Sequence, residues 1–505
     1  MRRDIDGFTE ETFDVCVVGG GITGAGVALD AARRGLRVAL IERGDFGSGT
    51  STASSKLIHG GLRYLEQGQF GLVAEALHER ALLLRHARHL VQPLPFVVPF
   101  YDDQRVAPWQ WRLGLTVYDI LAGRDNIARS RPLSTRQVDA ATGPMRSGLR
   151  GGVLYYDAWM DDARLCLAVV RTGVQYGAVA ASYVEATGFE NAGGTISSVY
   201  AVDRLTDRRF VIRARVVVNA AGAGADAVRV LAGEPSEPLL NPTKGVHLIA
   251  PDQGHRAASL LLHPGDGRVF FVIPWFGKTL IGTTDSFPDA GPNALRVAAS
   301  EVTYLLDGYN HYFDRPLQTE QIIGTFAGLR PLLRSRPGEP SSVSREFRLH
   351  VGPTGMITAL GGKYTTFRQM AETITDQVTS YVGKSRRCRT ASLPLIGSPA
   401  TPWPEFLQAK SAQIVARHPI AIDSVMHLVQ RYGTEVDKVL ERISRAPRGF
   451  DRLHAEEPDL VGEQAWQRDE EMAIFPDDFL LRRTRIGMWR PGLRCASATT
   501  QSRSA

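Results

Sequence analysis

Three glycines, Gly19, Gly21 and Gly24, stand in a GxGxxG spacing, and an acidic residue, Glu42, comes after them. That spacing can seat the pyrophosphate of a dinucleotide. The first glycine permits a tight turn, the second lets the backbone approach the phosphates, and the third lets a helix pack closely on a strand. Alone the pattern is weak, so its neighbours decide it. Phe13 to Val18 (FDVCVV) reads as a buried strand, Ala25 to Arg34 as an Ala-rich helix stopped by Gly35, and Leu36 to Ile41 (LRVALI) as a second buried strand ending at Glu42. Strand, helix and strand within about 30 residues demand a parallel crossover. The helix N-terminus then offers unpaired N–H groups and a positive dipole end to an anion, with Ile22 a further candidate contact. Glu42 can accept hydrogen bonds from an adenosine ribose. A strand–turn–helix without ligand is the plainer alternative.

The chain carries one such fingerprint, whereas enzymes that pass electrons from NAD to a flavin commonly carry two. The segment from Gly47 to Gly61 is rich in Gly, Ser and Thr and must wrap around something. Its hydroxyls can follow a long ligand, with Arg43, Thr50, Ser51, Ser54, Ser55, Leu57 and His59 as candidate contacts. A second strand end, Ala220-Ala221-Gly222, can close over the same ligand, with Ala221 and Gly222 as contacts. FAD is therefore expected, with electrons leaving to something other than NAD. Gly362, Lys363 and Thr365 precede a helix. Lys363 is placed to put a cation, and the helix its N-terminus, at the pyrimidine edge of the flavin. A solvated lysine at a helix start is the plainer alternative.

At 505 residues the chain exceeds what one hydrophobic core organises, so two or three domains are expected. Net charge is +6, which suits a phosphorylated substrate or an anionic membrane surface. No zinc-finger or RNP-type motif is present, and nucleic acid is not expected as a partner. Cys16, Cys166, Cys388 and Cys495 are far apart, with neither metal-ligand nor disulfide spacing, so no metal is expected and a reducing compartment fits. Met1 to Thr12 lacks an apolar core of a signal peptide, and no run of about 18 apolar residues can span a bilayer.

Further along, Phe70 to Leu90 has helical periodicity, and Pro93, Pro95 and Pro99 are expected to break the next segment. Trp109 to Leu121 mixes Trp, Arg and Leu. It reads equally as a core helix or as an interfacial helix that dips an apolar face into lipid and brings a quinone near. Asp161 to Tyr176 reads as a helix and Arg213 to Asn219 as a strand. Val269 to Ile273 and Thr279 to Ile281 form an expected hairpin around Phe276-Gly277. Met356 to Leu360 is an expected strand, with a helix from Thr365 to Val382. Composition changes over 383–403, and the remainder is helical by pattern, as in Ile420 to Tyr432 and Glu435 to Ile443.

The run STASSKLIHGGLRYLE (Ser51 to Glu66) strongly resembles the FAD-dependent glycerol-3-phosphate dehydrogenases. So do YYDAWMDDARL (Tyr155 to Leu165), KGVHL (Lys244 to Leu248), FFVIPWFGKTLIGTTD (Phe270 to Asp285), GLRPLL (Gly328 to Leu333), SREFRL (Ser344 to Leu349), GGKYTTFRQMAE (Gly361 to Glu372) and LRRTRIGMW (Leu481 to Trp489). The resemblance covers nearly the whole chain. It departs at NAAGAGAD (Asn219 to Asp226), where the family often has an aromatic.

The resemblance implies oxidation of sn-glycerol 3-phosphate to dihydroxyacetone phosphate, hydride passing from substrate C2 to flavin N5 and on to a membrane quinone. A related branch uses oxygen, usually with an insertion for which there is no obvious room here. Removing hydride from a secondary alcohol also requires a base near the flavin. His59 matches the family's active-site histidine and is the expected base; a histidine that only braces the loop is the plainer alternative. His247 is a second candidate, as readily structural. Arg63, Arg330 and Arg345 match the family's substrate-pocket arginines, whose planar forks suit a dianionic phosphate. Tyr64 could orient a substrate oxygen or simply pack.

The expected fold class is α/β: a Rossmann-type FAD-binding domain from 13–75, 150–245 and 346–385, with an inserted, mainly antiparallel-sheet substrate domain from 76–149 and 246–345. A C-terminal helical cap over 386–494 and a disordered tail over 495–505 complete it. The chain is expected in the cytoplasm, peripheral on the inner face of the cell membrane, with a homodimer compatible. The rivals are an oxygen-reducing glycerol-phosphate, amine or hydroxy-acid oxidase of the same fold, and a non-catalytic flavin-binding redox sensor.

Overall fold

A computed structural model describes residues 1–104, 106–288, 295–334, 347–384 and 386–493, with only the backbone of Arg63. Phe13–Val18 is buried at every position, as a strand inside a parallel sheet must be. The first sheet runs in the order Phe347–Val351, Ile357–Gly361, Arg209–Asn219, Phe13–Val18, Val38–Glu42, Val179–Ser182. Its inner pairs are parallel, and Phe347–Val351 adds an antiparallel edge. The Ile22–Arg33 helix crosses over between the first two strands of the chain and packs between Asp162–Gln175 and Phe367–Val382. This is the expected Rossmann-type layer.

The second sheet is mainly antiparallel. It runs Gly324–Arg330, Thr243–Pro251, Lys278–Gly282, Val269–Trp275, Ala258–Leu262, Val91–Phe100, Gly151–Met160, Leu57–Ile58. The hairpin around Phe276-Gly277 forms as expected. Gly151–Met160, expected within the FAD-binding region, is instead laddered along its whole length to Val91–Phe100 in this sheet. Leu57–Ile58 joins the same sheet, so the loop after Glu42 spans both layers. Pairing partners are non-local, and no pattern within either strand reveals them.

Pro93, Pro95 and Pro99 do not break the chain: Val91–Phe100 is one ten-residue strand. All three share one parity, so their missing N–H groups fall on a single edge. The other edge keeps its full ladder with Gly151–Met160. On the proline edge, Ala258–Leu262 pairs only with Phe96 and Val97.

Pro108–Ala122 is a helix with one face in the core and another exposed. Trp111, Leu115, Tyr118 and Ala122 are buried, while Trp109, Leu113 and Ile120 are 64%, 57% and 70% exposed on the opposite side. No helix among the described residues is long and apolar enough to cross a membrane.

Beyond residue 400, the helices Trp403–Val415, Ile422–Tyr432, Val436–Ser444 and Glu463–Glu471 share their own apolar core. Buried ion pairs fasten this cap to the first domain. Arg164 grips Glu471 at 2.5 and 2.7 Å, Arg171 meets Glu435 at 2.6 Å, and Arg485 pairs with Asp161. Removing one partner of such a pair strands a buried charge, at a cost of about 3–5 kcal/mol. The expected tail, 495–505, and Cys495 lie outside the described residues; Cys16, Cys166 and Cys388 are free thiols.

His89 is buried in this junction, beside Arg164 and Arg171. Burial, then the charges of those two arginines, depresses its pKa to about 3. The folded chain therefore keeps His89 neutral while the unfolded chain protonates it near pH 6.5. Stability from this group is complete above about pH 6.5 and is lost as pH falls toward 3, by up to about 1.4 kcal/mol per pH unit. Denaturant melts of wild type and His89→Gln at pH 7, 5 and 4 should show a shallower decline in the variant. Parallel declines would refute this account.

Candidate functional site

The carboxyl ends of Phe13–Val18 and Arg209–Asn219 run side by side, and a cavity of 1330 Å³ opens beyond them. Gly19 sits where they meet, at φ +111°, and a Cβ there would lie 2.6 Å from the Ala220 carbonyl oxygen. Only glycine satisfies both conditions. Gly24, one helical turn on, would bring a Cβ within 1.9 Å of the Gly19 carbonyl oxygen. It lies behind the cavity and serves the close packing of helix on turn. Gly19, Gly21, Ile22 and Thr23 form the cavity wall at the N-terminus of Ile22–Arg33. The Ile22 N–H donates to Ser51 Oγ at 2.9 Å, which ties the Ser/Thr-rich loop to the helix start.

Glu42 lines the cavity, its carboxylate accepting from the Gly20 N–H at 2.7 Å and the Gly44 N–H at 2.8 Å. Burial raises its pKa, and those amides oppose the shift. Arg43, Thr50, Ser51, Ser54, Ser55, Leu57 and His59 continue along the wall, with Ala221 and Gly222 opposite. Gly362, Lys363 and Thr365 also line it. The Lys363 ammonium lies 3.6 Å from the centre of the Tyr64 ring, a cation–π geometry. Tyr64 itself is buried behind the wall.

His59, His247 and Arg330 share this cavity although 271 positions separate the first from the last (330 − 59). His59 donates its backbone N–H to Thr365 Oγ1 at 3.2 Å. His247 is 2% exposed, with its Nε2 3.0 Å from Ser55 Oγ and its ring stacked on Phe326 at 4.8 Å. Burial, then the charges of Arg330 and Lys56, pushes its pKa well below the usual imidazole value, so the ring is neutral. Arg330 is clamped by Asp285 Oδ1 at 3.1 Å, Thr283 Oγ1 at 2.9 Å and the Thr284 carbonyl at 3.0 Å. The Arg63 side chain and all of Arg345 lie outside the described residues.

The arrangement suits an extended dinucleotide. Backbone donors at a helix start, an acid, a cation and a histidine line one cavity. Its volume exceeds the roughly 300–1,000 Å³ of a pocket for one drug-sized ligand, leaving room for a small co-substrate.

Sequence reasoning did not find the part played by the cap. Leu481, Arg482, Gly487 and Met488 reach the cavity from the C-terminal segment. Arg482 and Arg483 both hold Asp45, three residues after Glu42, at 2.5 and 2.8 Å. The LRRTRIGMW run was the available signal, but nothing in it says which acid it meets.

The family description "FAD dependent oxidoreductase" matches residues 14–368, and "C-terminal domain of alpha-glycerophosphate oxidase" matches 388–501. Glycerol-3-phosphate dehydrogenase 2 of Mycobacterium tuberculosis is 36% identical over 96% of this chain and 83% of its own length. The aerobic glycerol-3-phosphate dehydrogenase of Staphylococcus aureus is 34% identical over 94% and 87%. The crystal structure of glycerol-3-phosphate dehydrogenase from Bacillus halodurans complexed with FAD is 31% identical, with a TM-score of 0.80 over 97% of this chain and 90% of that one.

Gly19→Ala is expected to purify with much less bound flavin, because its Cβ would have to displace backbone at the pyrophosphate turn. The ratio of visible flavin absorbance to protein absorbance measures this, and full occupancy would contradict it.

Proposed function

The chain belongs to the FAD-dependent glycerol-3-phosphate dehydrogenases, and from that premise we propose that it oxidises sn-glycerol 3-phosphate to dihydroxyacetone phosphate and passes the electrons to a quinone. When bound, FAD supplies the two-electron acceptor for hydride from substrate C2. The other product of the oxidation is the hydroxyl proton, and His59 takes it at a ring nitrogen. Imidazole is the side chain most often used for such a proton transfer. The observation that carries the reading is the meeting of His59, His247 and Arg330 in the same cavity as the pyrophosphate turn.

Arg330 supplies a permanent positive charge whose direction is set by its clamp, and it binds the substrate phosphate. Arg63 and Arg345 complete the cationic set. His247, held neutral, contributes a hydrogen bond rather than a charge; its Nδ1 has no hydrogen-bond partner among the described residues. Lys363 places positive charge where the reduced flavin gains negative charge. Quinones lie in lipid, and the exposed Trp109, Leu113 and Ile120 fall on one helix face with Arg112 and Arg124 exposed beside them. That face rests on an anionic membrane surface.

Anaerobic sn-glycerol 3-phosphate should bleach the flavin, and added quinone should restore the colour faster than air does. His59→Ala should slow the bleaching by about 10²–10⁴-fold. Holoenzyme that its substrate never bleaches would end the reading, and recovery faster in air would transfer the chain to the oxidases.

Replacing Trp109, Leu113 and Ile120 together by Ser should reduce co-sedimentation with phosphatidylglycerol vesicles, while leaving anaerobic bleaching unchanged. Undiminished co-sedimentation would remove this face from the account.

A further inference from the structure

His59 lies between two backbone amides, each caught by a hydroxyl from a different part of the fold. Its own N–H donates to Thr365 Oγ1 at 3.2 Å, and the next one, of Gly60, donates to the Tyr118 hydroxyl at 2.8 Å. Tyr118 comes from the inner face of Pro108–Ala122. Its hydroxyl donates in turn to both oxygens of Asp157, at 2.7 and 2.8 Å. Asp157 accepts from Arg80 Nη1 at 2.6 Å, and the same nitrogen donates to the Tyr156 carbonyl at 2.9 Å.

The three side chains are 1%, 2% and 0% exposed for Tyr118, Asp157 and Arg80, and none of them lines the cavity. They cannot touch substrate or cofactor. A buried ion pair is weak as a source of stability, but buried hydrogen bonds in a low-dielectric interior hold firmly the groups they join; here Arg80 does so through Nη1, its Nε and Nη2 having no hydrogen-bond partner among the described residues. The chain of donors has one direction. The Gly60 N–H must donate, so the tyrosine oxygen accepts there and donates its own O–H to the carboxylate, whose charge Arg80 balances. Burial, then the Asp157 charge, raises the Tyr118 pKa well above the usual phenol range, so the hydroxyl keeps that proton.

The fit at Gly60 is equally specific. A Cβ there would lie 2.6 Å from the Tyr118 hydroxyl, so the peptide approaches this oxygen only because residue 60 has no side chain. The catalytic loop is thus braced from the cofactor domain by Thr365 and from the substrate side by Tyr118.

We propose that Tyr118, aligned by Asp157 and Arg80, is a positioning residue that fixes the His59 imidazole against the substrate hydroxyl by holding the Gly60 peptide. The proposal rests on the reading of His59 as the base. A displacement of about 1 Å in a catalytic group is enough to slow chemistry by about 100-fold. Tyr118→Phe removes one oxygen and keeps the ring.

Its test is a double-mutant cycle on the FAD-loaded enzyme, read by stopped-flow anaerobic flavin reduction across substrate concentrations. Tyr118→Phe should lower the limiting reduction rate by about 10- to 100-fold, with the apparent substrate dissociation constant within about twofold and flavin content unchanged. In a His59→Ala background the same change should have almost no further effect, because nothing remains for it to position. Equal losses in both backgrounds would show a merely structural tyrosine and overturn the proposal, as would an unimpaired Tyr118→Phe. If His59→Ala alone is fully active, the base reading fails instead. Should Tyr118→Phe not retain flavin, Asp157→Asn is measured in both backgrounds and judged by the same two outcomes.

Discussion

The structure depends on one close approach of backbone to backbone. Two parallel strand ends, at Gly19 and Ala220, come together so tightly that no side chain fits between them, and beyond them opens a cavity whose wall includes the backbone of the helix start. Backbone N–H groups buried without partners are costly. A helix start turned toward that space supplies several of them, and an anionic ligand satisfies them. The Ser51 hydroxyl meets the Ile22 N–H directly, showing how the wall keeps its donors occupied. The parallel order of the first sheet, the crossover helix and the position of Glu42 all serve to make that approach possible.

The loop from Gly47 to Gly61 carries the consequence across to the other layer. The chain leaves the first sheet at Glu42, touches the helix start through Ser51, and enters the second sheet at Leu57–Ile58. His59 comes directly after. The histidine therefore stands at the seam between the layer that holds a dinucleotide and the layer that brings Arg330 and His247. Since Thr365 and Tyr118 hold the two amides around it, both layers contribute to its placement. The same helix that offers Tyr118 inward presents Trp109, Leu113 and Ile120 outward.

Buried charge pairs join the cap to this arrangement. Asp45 receives Arg482 and Arg483, and Glu471 receives Arg164. Such pairs bring geometric definition rather than large net stability. They bind the C-terminal segment to the loop that starts at Glu42, so part of the cavity wall comes from residues nearly the full chain length away.

How much of this was legible depends on the range over which each feature is encoded. The opening strand–turn–helix–strand is local: glycine spacing, burial periodicity and an acid at a strand end are all read within one short window, and the structure repeats them. The Pro108–Ala122 helix was legible as a mixed aromatic and apolar stretch, core or surface, because apolar residues stand on both of its faces and only packing tells which is covered. Pro93, Pro95 and Pro99 read as breakers since propensity is local, whereas their tolerance depends on which strand edge a neighbour occupies. By itself the sequence determined the dinucleotide turn, the class of fold and, through resemblance, the chemistry. Only the tertiary structure decided that Gly151–Met160 joins the second sheet, that Asp45 meets Arg483, and that Tyr118 reaches Gly60. Each of these joins residues distant in the chain, and such pairings are chosen by the burial and hydrogen-bond balance of the whole fold, which no local pattern records.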